Sequence, residues 1–195
     1  MTEDAMSSLH TLMSSYSRLA PADWQKLSER LSPLTLRKNE FFISAGAPSS
    51  RMAFIVSGIF RVFCTTADGD DRTLAFRKRG HILSAFTPAI EGRTCWYSIQ
   101  ALEDSELQCM RLSDFAHLKE DNINWEKFYG AYVTRLFIEK EDRERSFLTE
   151  DARTRYSRFK TQHPDIEESV YDFHIASYLG ISPVTLSRIR NSSEA

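Results

Sequence analysis

The stretch DFHIASYLGISPVTLSRIRN, residues 172–191, constrains the fold more than any other part of the chain. It reads as two short helices joined by a tight turn. Ile175, Ala176 and Leu179 recur at helical spacing. Gly180 then stops the first helix, because glycine takes the left-handed conformation at a helix end without steric cost. Ser182 followed by Pro183 starts the second: the hydroxyl caps free N–H groups, and proline is pre-set for the first helical position. Leu186 and Ile189 return to the apolar side, which leaves Thr185, Ser187, Arg188 and Arg190 pointing out. A small residue at Ala176 with a glycine four positions on lets two helices cross closely at a steep angle, as in a helix-turn-helix.

Two short helices around a glycine also occur in ordinary helical domains. The joint pattern of Ile175, Ala176, Leu179, Gly180, Ile181, Leu186 and Ile189 is more demanding than a lone turn signal and points to a DNA reader. The N-terminal part of a reading helix faces base edges. That makes Ser182, Pro183, Val184, Thr185, Ser187 and Arg188 the candidate DNA contacts, with Arg190 one turn further. Arg188 is suited to a bidentate grip on guanine, and Val184 to a thymine methyl. Ser182, Thr185 and Ser187 are suited to phosphates.

Charge gives this reading no global support. The 195 residues carry 25 Lys and Arg against 27 Asp and Glu, a net charge of −2. Residues 150–195 hold six basic against seven acidic side chains. Any basic surface is therefore local, since DNA affinity rests largely on phosphate neutralisation. Arg153, Arg155, Arg158 and Lys160 read either as one strip beside the second helix or as a solvated helix face. Hydrophobic content of 42% and no apolar run near ~20 residues indicate a globular chain with no membrane span. The acidic N-terminus shows no secretory leader. Cys64, Cys95 and Cys109 are too few and too scattered for a disulfide scaffold, so a reducing cytoplasm is the simplest home.

Upstream, Leu9, Leu12, Met13, Tyr16 and Leu19 predict a helix that Pro21 breaks, and Trp24, Leu27 and Leu31 a second short one. From about Leu34 to Leu112 the period is two, in short pieces with turn signals between them, including a hairpin centred on Asp68 and Gly69. That is the pattern of a β-barrel or jelly roll. A long helix is predicted from near Asn124 to about Leu148. Trp125, Tyr129, Tyr132 and Leu136 step along it as a coiled-coil seam, expected to meet a partner helix; the other reading is that this face covers the chain's own barrel. Thr149 is expected to cap the next helix, with Tyr156 and Phe159 on its core side and Pro164 just past its end.

This order of elements resembles the Crp/Fnr transcription regulators. The resemblance runs over nearly the whole chain and is carried by FFISAGAPSSRMAFIVSGIFRVF, DGDDRTLAF, SIQALEDSEL and, most specifically, IASYLGISPVTLSRIR. It implies an α+β chain: an N-terminal jelly-roll or β-roll sensor domain over 1–122, a dimerisation helix over 123–148 and a helix-turn-helix domain over 149–195. It implies a homodimer on a palindromic operator of double-stranded DNA, in no sense an enzyme, with no catalytic residues. RNA polymerase and a small effector in the roll stand as candidate partners beside DNA. A ligand-binding or signalling β-roll that no longer holds DNA is the alternative.

Two departures matter. Members that bind cyclic AMP have Gly-Glu-Leu for the ribose and an Arg-Ser/Thr pair for the cyclic phosphate. Here the first stretch is Gly80-His81-Ile82-Leu83, and the pair aligns near Cys95-Trp96. Arg93, Thr94, His81 and Trp96 are the effector-binding candidates left, with Arg93 as a loop cation and Trp96 as a core residue the plainer reading. A cyclic nucleotide cofactor is therefore disfavoured. Second, only PDIEESVY precedes the two helices and only NSSEA follows Arg190, so the wing of the family's winged helix is expected to be reduced or absent. No cysteine precedes Cys64, against an iron–sulfur cluster, and no His-x-His occurs, so no metal site is expected.

Overall fold

The computed structural model describes residues 3–14, 16, 19–48 and 50–192. Two helices, α1 (Glu3–Ser14) and α2 (Pro21–Ser28), precede eight strands. These are β1 (Ser32–Leu36), β2 (Phe41–Ile43), β3 (Arg51–Ser57), β4 (Phe60–Thr65), β5 (Asp71–Arg77), β6 (Ile82–Leu83), β7 (Ser98–Ala101) and β8 (Ser105–Arg111). A short helix, α3 (Phe86–Glu91), lies between β6 and β7. After the strands come α4 (Leu112–Asp121), the long α5 (Ile123–Thr149), α6 (Ala152–Gln162), α7 (Pro164–Ser169), α8 (Asp172–Leu179) and α9 (Pro183–Asn191).

The strands form two four-stranded sheets, ordered β1-β8-β3-β6 and β2-β7-β4-β5. Neighbours are antiparallel where β1, β3 and β8 meet, with Ala53 opposite Cys109 and Leu34 opposite Leu107. The period-two pattern predicts a barrel or jelly roll, and the two sheets form the β-roll that the resemblance implies. Strand β3 explains its own composition. Its run Met52–Val56 is apolar throughout because both of its faces are covered. Ala53 and Ile55 point into the roll with Phe42, Phe60, Leu83, Ile99 and Leu107, whereas Met52 and Phe54 point outward against helices. The β3–β4 turn leaves no room for a side chain at Gly58: its φ is +103°, and a Cβ there would fall 2.0 Å from Ser105 Oγ.

The helical layer on the outer face of that sheet is built from Leu9, Leu12, Met13, Leu27, Phe115, Leu118, Trp125, Phe128 and Tyr132. Edge-to-face contacts join Phe115 to Trp125 and Phe128, at 6.3 and 6.5 Å between centroids. Asp23 closes the layer at one end, accepting from the Ala20 N–H at 3.0 Å and from Asn122 Nδ2 at 2.9 Å.

This layer corrects the expected seam. Trp125 and Tyr132 are 0% and 1% exposed, and Tyr129 and Leu136 pack beside them. The Tyr132 hydroxyl accepts from the Ile82 N–H at 2.8 Å and donates to the Ile82 carbonyl at 3.3 Å. The stepping of these four residues is real, but it is the stripe by which α5 covers its own roll; Trp125 and Tyr132 have no surface left for a partner.

Local differences have local causes. The piece HILSAF pairs as a strand only at Ile82–Leu83, and α3 begins at Phe86, where Pro88 sits in the first turn and needs no N–H partner. Pro164 opens a helix, α7, rather than only closing the previous one. Thr149 ends α5, its hydroxyl on the Arg145 carbonyl at 2.9 Å. The cap of α6 is Asp151, which accepts from the Thr154 N–H at 2.8 Å.

The chain divides into two compact units: Met1–Val62 with Phe76–Leu136, and Phe63–Ala75 with Phe137–Ala195. The second therefore holds the β4–β5 hairpin tip together with the end of α5 and helices α6–α9. Among the described residues no helix is long and apolar enough to cross a membrane.

Tyr132→Phe keeps the ring and strands the Ile82 N–H and carbonyl. It is expected to cost about 1–3 kcal/mol in urea unfolding; an unchanged midpoint would show that the hydroxyl bridge does not hold α5 to β6.

Candidate nucleic-acid interface

Helices α8 and α9 form around the expected turn. Gly180 has φ +69°, and a Cβ there would meet Phe147 Cε1 at 2.6 Å, so both backbone and packing require glycine. Ser182 caps α9, accepting from the Thr185 N–H at 3.1 Å, and Pro183 occupies the first turn. Leu186 and Ile189 are buried with Ile175, Ala176 and Leu179. That anchoring leaves Ser182, Pro183, Val184, Ser187 and Arg188 exposed along one side of α9, with Thr185 half-buried and its hydroxyl 2.9 Å from Ser182 Oγ. Val184 is 61% exposed, a large apolar side chain presented to solvent.

Arg190 is placed differently from expectation. Its Nε donates to Tyr156 Oη at 3.1 Å, one terminal nitrogen pairs with Asp172 at 2.5 Å and the other with Glu167 at 2.9 Å. Tyr156 in turn donates to Glu167 at 2.8 Å. Burial alone would lower the Arg190 pKa, but the bonds to Tyr156 and Asp172 raise it well above its ordinary value. Arg190 thus ties α9 to α6, α7 and α8 and is committed inside the domain rather than presented to a phosphate.

The cations of α6 are also largely committed. Arg155 donates to the Glu150 and Leu179 carbonyls at 2.6 and 3.2 Å, Arg158 pairs with the Glu150 carboxylate, and Arg153 donates to Ser192 Oγ at 2.8 Å. The four residues therefore do not form one open basic strip. Sequence reasoning missed this web because it joins residues 5 to 39 positions apart with no periodic signature.

In the roll, the effector candidates are dispersed. Arg93 is exposed on the loop after α3 and pairs with Glu91 at 3.5 Å. Thr94 is exposed and bridges Pro48. Trp96 is 60% exposed, its ring edge-on to Tyr97, so it is not a core residue. His81 lies on the loop before β6, its Nδ1 3.0 Å from the Lys78 carbonyl. Where the resemblance looks for a phosphate-binding pair, Cys95 is buried and its thiol donates to the Tyr97 carbonyl at 3.0 Å. Burial pushes the thiol pKa up, so the group is neutral at pH 7. Arg61, the one buried arginine among the described residues, alternates with the inward-facing Phe60 and Val62 and donates to Gln100 at 2.9 Å. Arg51, on the same side of β3 as Ala53 and Ile55, is spent on Phe42, donating to its carbonyl at 2.9 Å with its guanidinium 4.9 Å from the ring; the aligned pair Cys95-Trp96 itself offers no cation to a cyclic phosphate.

Comparison with known proteins places this geometry. The class is a β-roll joined through a long helix to a helix-turn-helix. Residues 33–122 match the family profile of the cyclic nucleotide-binding domain. No curated protein matches the sequence significantly. Among solved structures, FixK2 from Bradyrhizobium japonicum superposes with a TM-score of 0.73 at 17% identity, covering 83% of each chain. The c-di-GMP-responsive global regulator CLP of Xanthomonas campestris gives 0.72 at 13% identity, over 90% of this chain and 92% of that one. The catabolite activator protein of Thermus thermophilus gives 0.57 at 20% identity, over 89% and 83%. At these identities the likeness is one of fold. The profile match spans 90 of the 195 residues, and with these transcription regulators the chain shares its fold.

Arg190→Ala is expected to lower unfolding stability by about 1–3 kcal/mol, because it leaves the half-buried Glu167 and the buried Tyr156 without their cation. Stability equal to that of the unaltered chain would mean that the tie is a surface contact of no consequence.

Proposed function

We propose that the chain is a homodimeric DNA-binding transcription regulator that reads a palindromic operator through α9. It would comprise a sensor over 1–122, a dimerisation helix over 123–148 and a reader over 149–195. The observation that carries the reading is the two-sidedness of α9: Leu186 and Ile189 are buried while Ser182, Val184, Ser187 and Arg188 face solvent behind a capped N-terminus. Such a helix offers base edges a guanidinium and a methyl pair, and offers phosphates its hydroxyls and free N–H groups. Arg188 carries base readout, Val184 the thymine contact, and Ser182, Thr185, Ser187 and Pro183 the approach to the backbone. Arg190 acts as the tie described above.

The dimer contact moves to the side of α5 turned away from the roll. Val133, Phe137 and Ile138 are 36%, 63% and 51% exposed there, and Gly130, Thr134 and Glu141 share that side at three- and four-residue steps. An exposed apolar stripe of this kind is the usual mark of a helix that meets another. Two-fold pairing along it gives two copies of α9 and hence an inverted-repeat site. A small effector acting through the roll would belong to another class than the cyclic nucleotides.

Selection from a randomised duplex library is expected to enrich inverted repeats whose half-sites lie about one helical turn apart. On the selected duplex, Arg188→Ala should weaken binding by about 5- to 150-fold and leave random-sequence binding within a few-fold. Equal loss on both would make Arg188 a phosphate contact. Failure to enrich any sequence at low salt would favour a signalling β-roll that holds no DNA. Phe137→Glu is expected to shift the sedimenting species from dimer to monomer; a variant that stays dimeric would place the contact elsewhere.

A further inference from the structure

Strand β5 is the edge of its sheet, and an edge leaves backbone N–H and C=O groups open. Yet Thr73, in the middle of β5, is 1% exposed. Its edge groups are taken by side chains. Ser177 Oγ, on α8, accepts from the Thr73 N–H at 2.9 Å and donates to the Asp71 carbonyl at 3.0 Å. A terminal nitrogen of Arg143, on α5, donates to the Thr73 carbonyl at 3.2 Å and to the Tyr178 carbonyl at 3.0 Å. The Asp71 carbonyl and both Thr73 groups are the set that one further antiparallel strand would occupy. The Arg143 guanidinium is held over the rings of Phe147 and Tyr178, 4.7 and 4.9 Å from their centroids. Phe147 is also the ring against which Gly180 turns.

We propose that Ser177 and Arg143 are positioning residues of the reader: they clasp the open edge of β5 and so fix the angle at which the turn at Gly180 presents α9. The inference rests on the DNA-reading function above and adds a determinant that touches no DNA. Ser177 lies three residues before Gly180, and the hairpin that it holds is continuous with β4 and β5 of the roll. The hairpin tip, the end of α5 and the reader thereby form one compact unit. Because the clasp leaves the exposed side of α9 uncovered, it sets orientation rather than access. In a dimer, orientation decides half-site spacing, whereas contact with one half-site does not depend on it.

The test compares the full-length chain with Ser177→Ala, Arg143→Met and the hydroxyl-preserving Ser177→Thr. Without DNA, backbone amide exchange at Thr73 is expected to speed up about tenfold or more in the first two and to stay close to the parent rate in Ser177→Thr. On DNA, binding to an isolated half-site should stay within about twofold. Binding to the inverted repeat should fall about tenfold, and a duplex with one base pair added between half-sites should be penalised less than in the parent. Unchanged Thr73 exchange in Ser177→Ala overturns the clasp. Parallel loss on half-site and repeat overturns the positioning role and leaves a structural one. If the parent chain binds no duplex, the DNA-reading function fails, while the exchange rates still decide whether the clasp exists.

Discussion

The packing of α5 against the roll is the constraint on which the rest depends. A helix has a limited circumference, and the stripe Trp125–Phe128–Tyr132 is buried in the helical layer over β3. Met52, Phe54 and Met110 meet it from the sheet, and the Tyr132 hydroxyl fixes its register on Ile82. With that side committed, Val133, Phe137 and Ile138 form an exposed apolar group midway along α5, apart from the exposed Ile123 near its start and Phe147 and Leu148 near its end. The same packing ties the helix to β6.

The reader obeys a similar economy of side chains. It is small, and its few cations are mostly bonded within the domain: Arg155 and Arg158 to the junction at Glu150, Arg190 to Glu167 and Asp172, Arg143 to the edge of β5. Such ties add to an apolar core that Tyr156, Phe159, Ile166, Ile175, Leu179 and Leu186 build between the helices. They also concentrate recognition on few groups. Arg188 is left exposed on α9 with serine and valine neighbours, so base discrimination is expected to rest on that residue more than on a broad basic surface.

The legible parts of the sequence were those with short-range periodicity or a turn requirement. The pair α8–α9 followed from Gly180, Ser182-Pro183 and the spacing of Leu186 and Ile189, because each is a local condition on one helix end. The roll followed from period two and the Asp68-Gly69 hairpin. What periodicity cannot give is the destination of a face. Trp125, Tyr129, Tyr132 and Leu136 have the spacing of a seam whether the seam meets a partner or the chain's own sheet. Long-range polar ties were equally silent: Arg143 sits in a charged run and Arg190 among the candidate DNA contacts, and their partners lie 18 to 70 positions away. Short helices such as α3 and α7 escaped because a proline in a first turn resembles a stop signal as much as a start.

The central claim is that two copies of α9, held by a symmetric pair of chains, occupy neighbouring turns of one duplex. Sedimentation equilibrium of the chain with a selected duplex measures this directly, together with hydroxyl-radical cleavage of the same complex. The account predicts two chains per duplex, with two protected patches about one helical turn apart. One chain per duplex, a single protected patch, or free DNA at protein concentrations that saturate the dimer would contradict it.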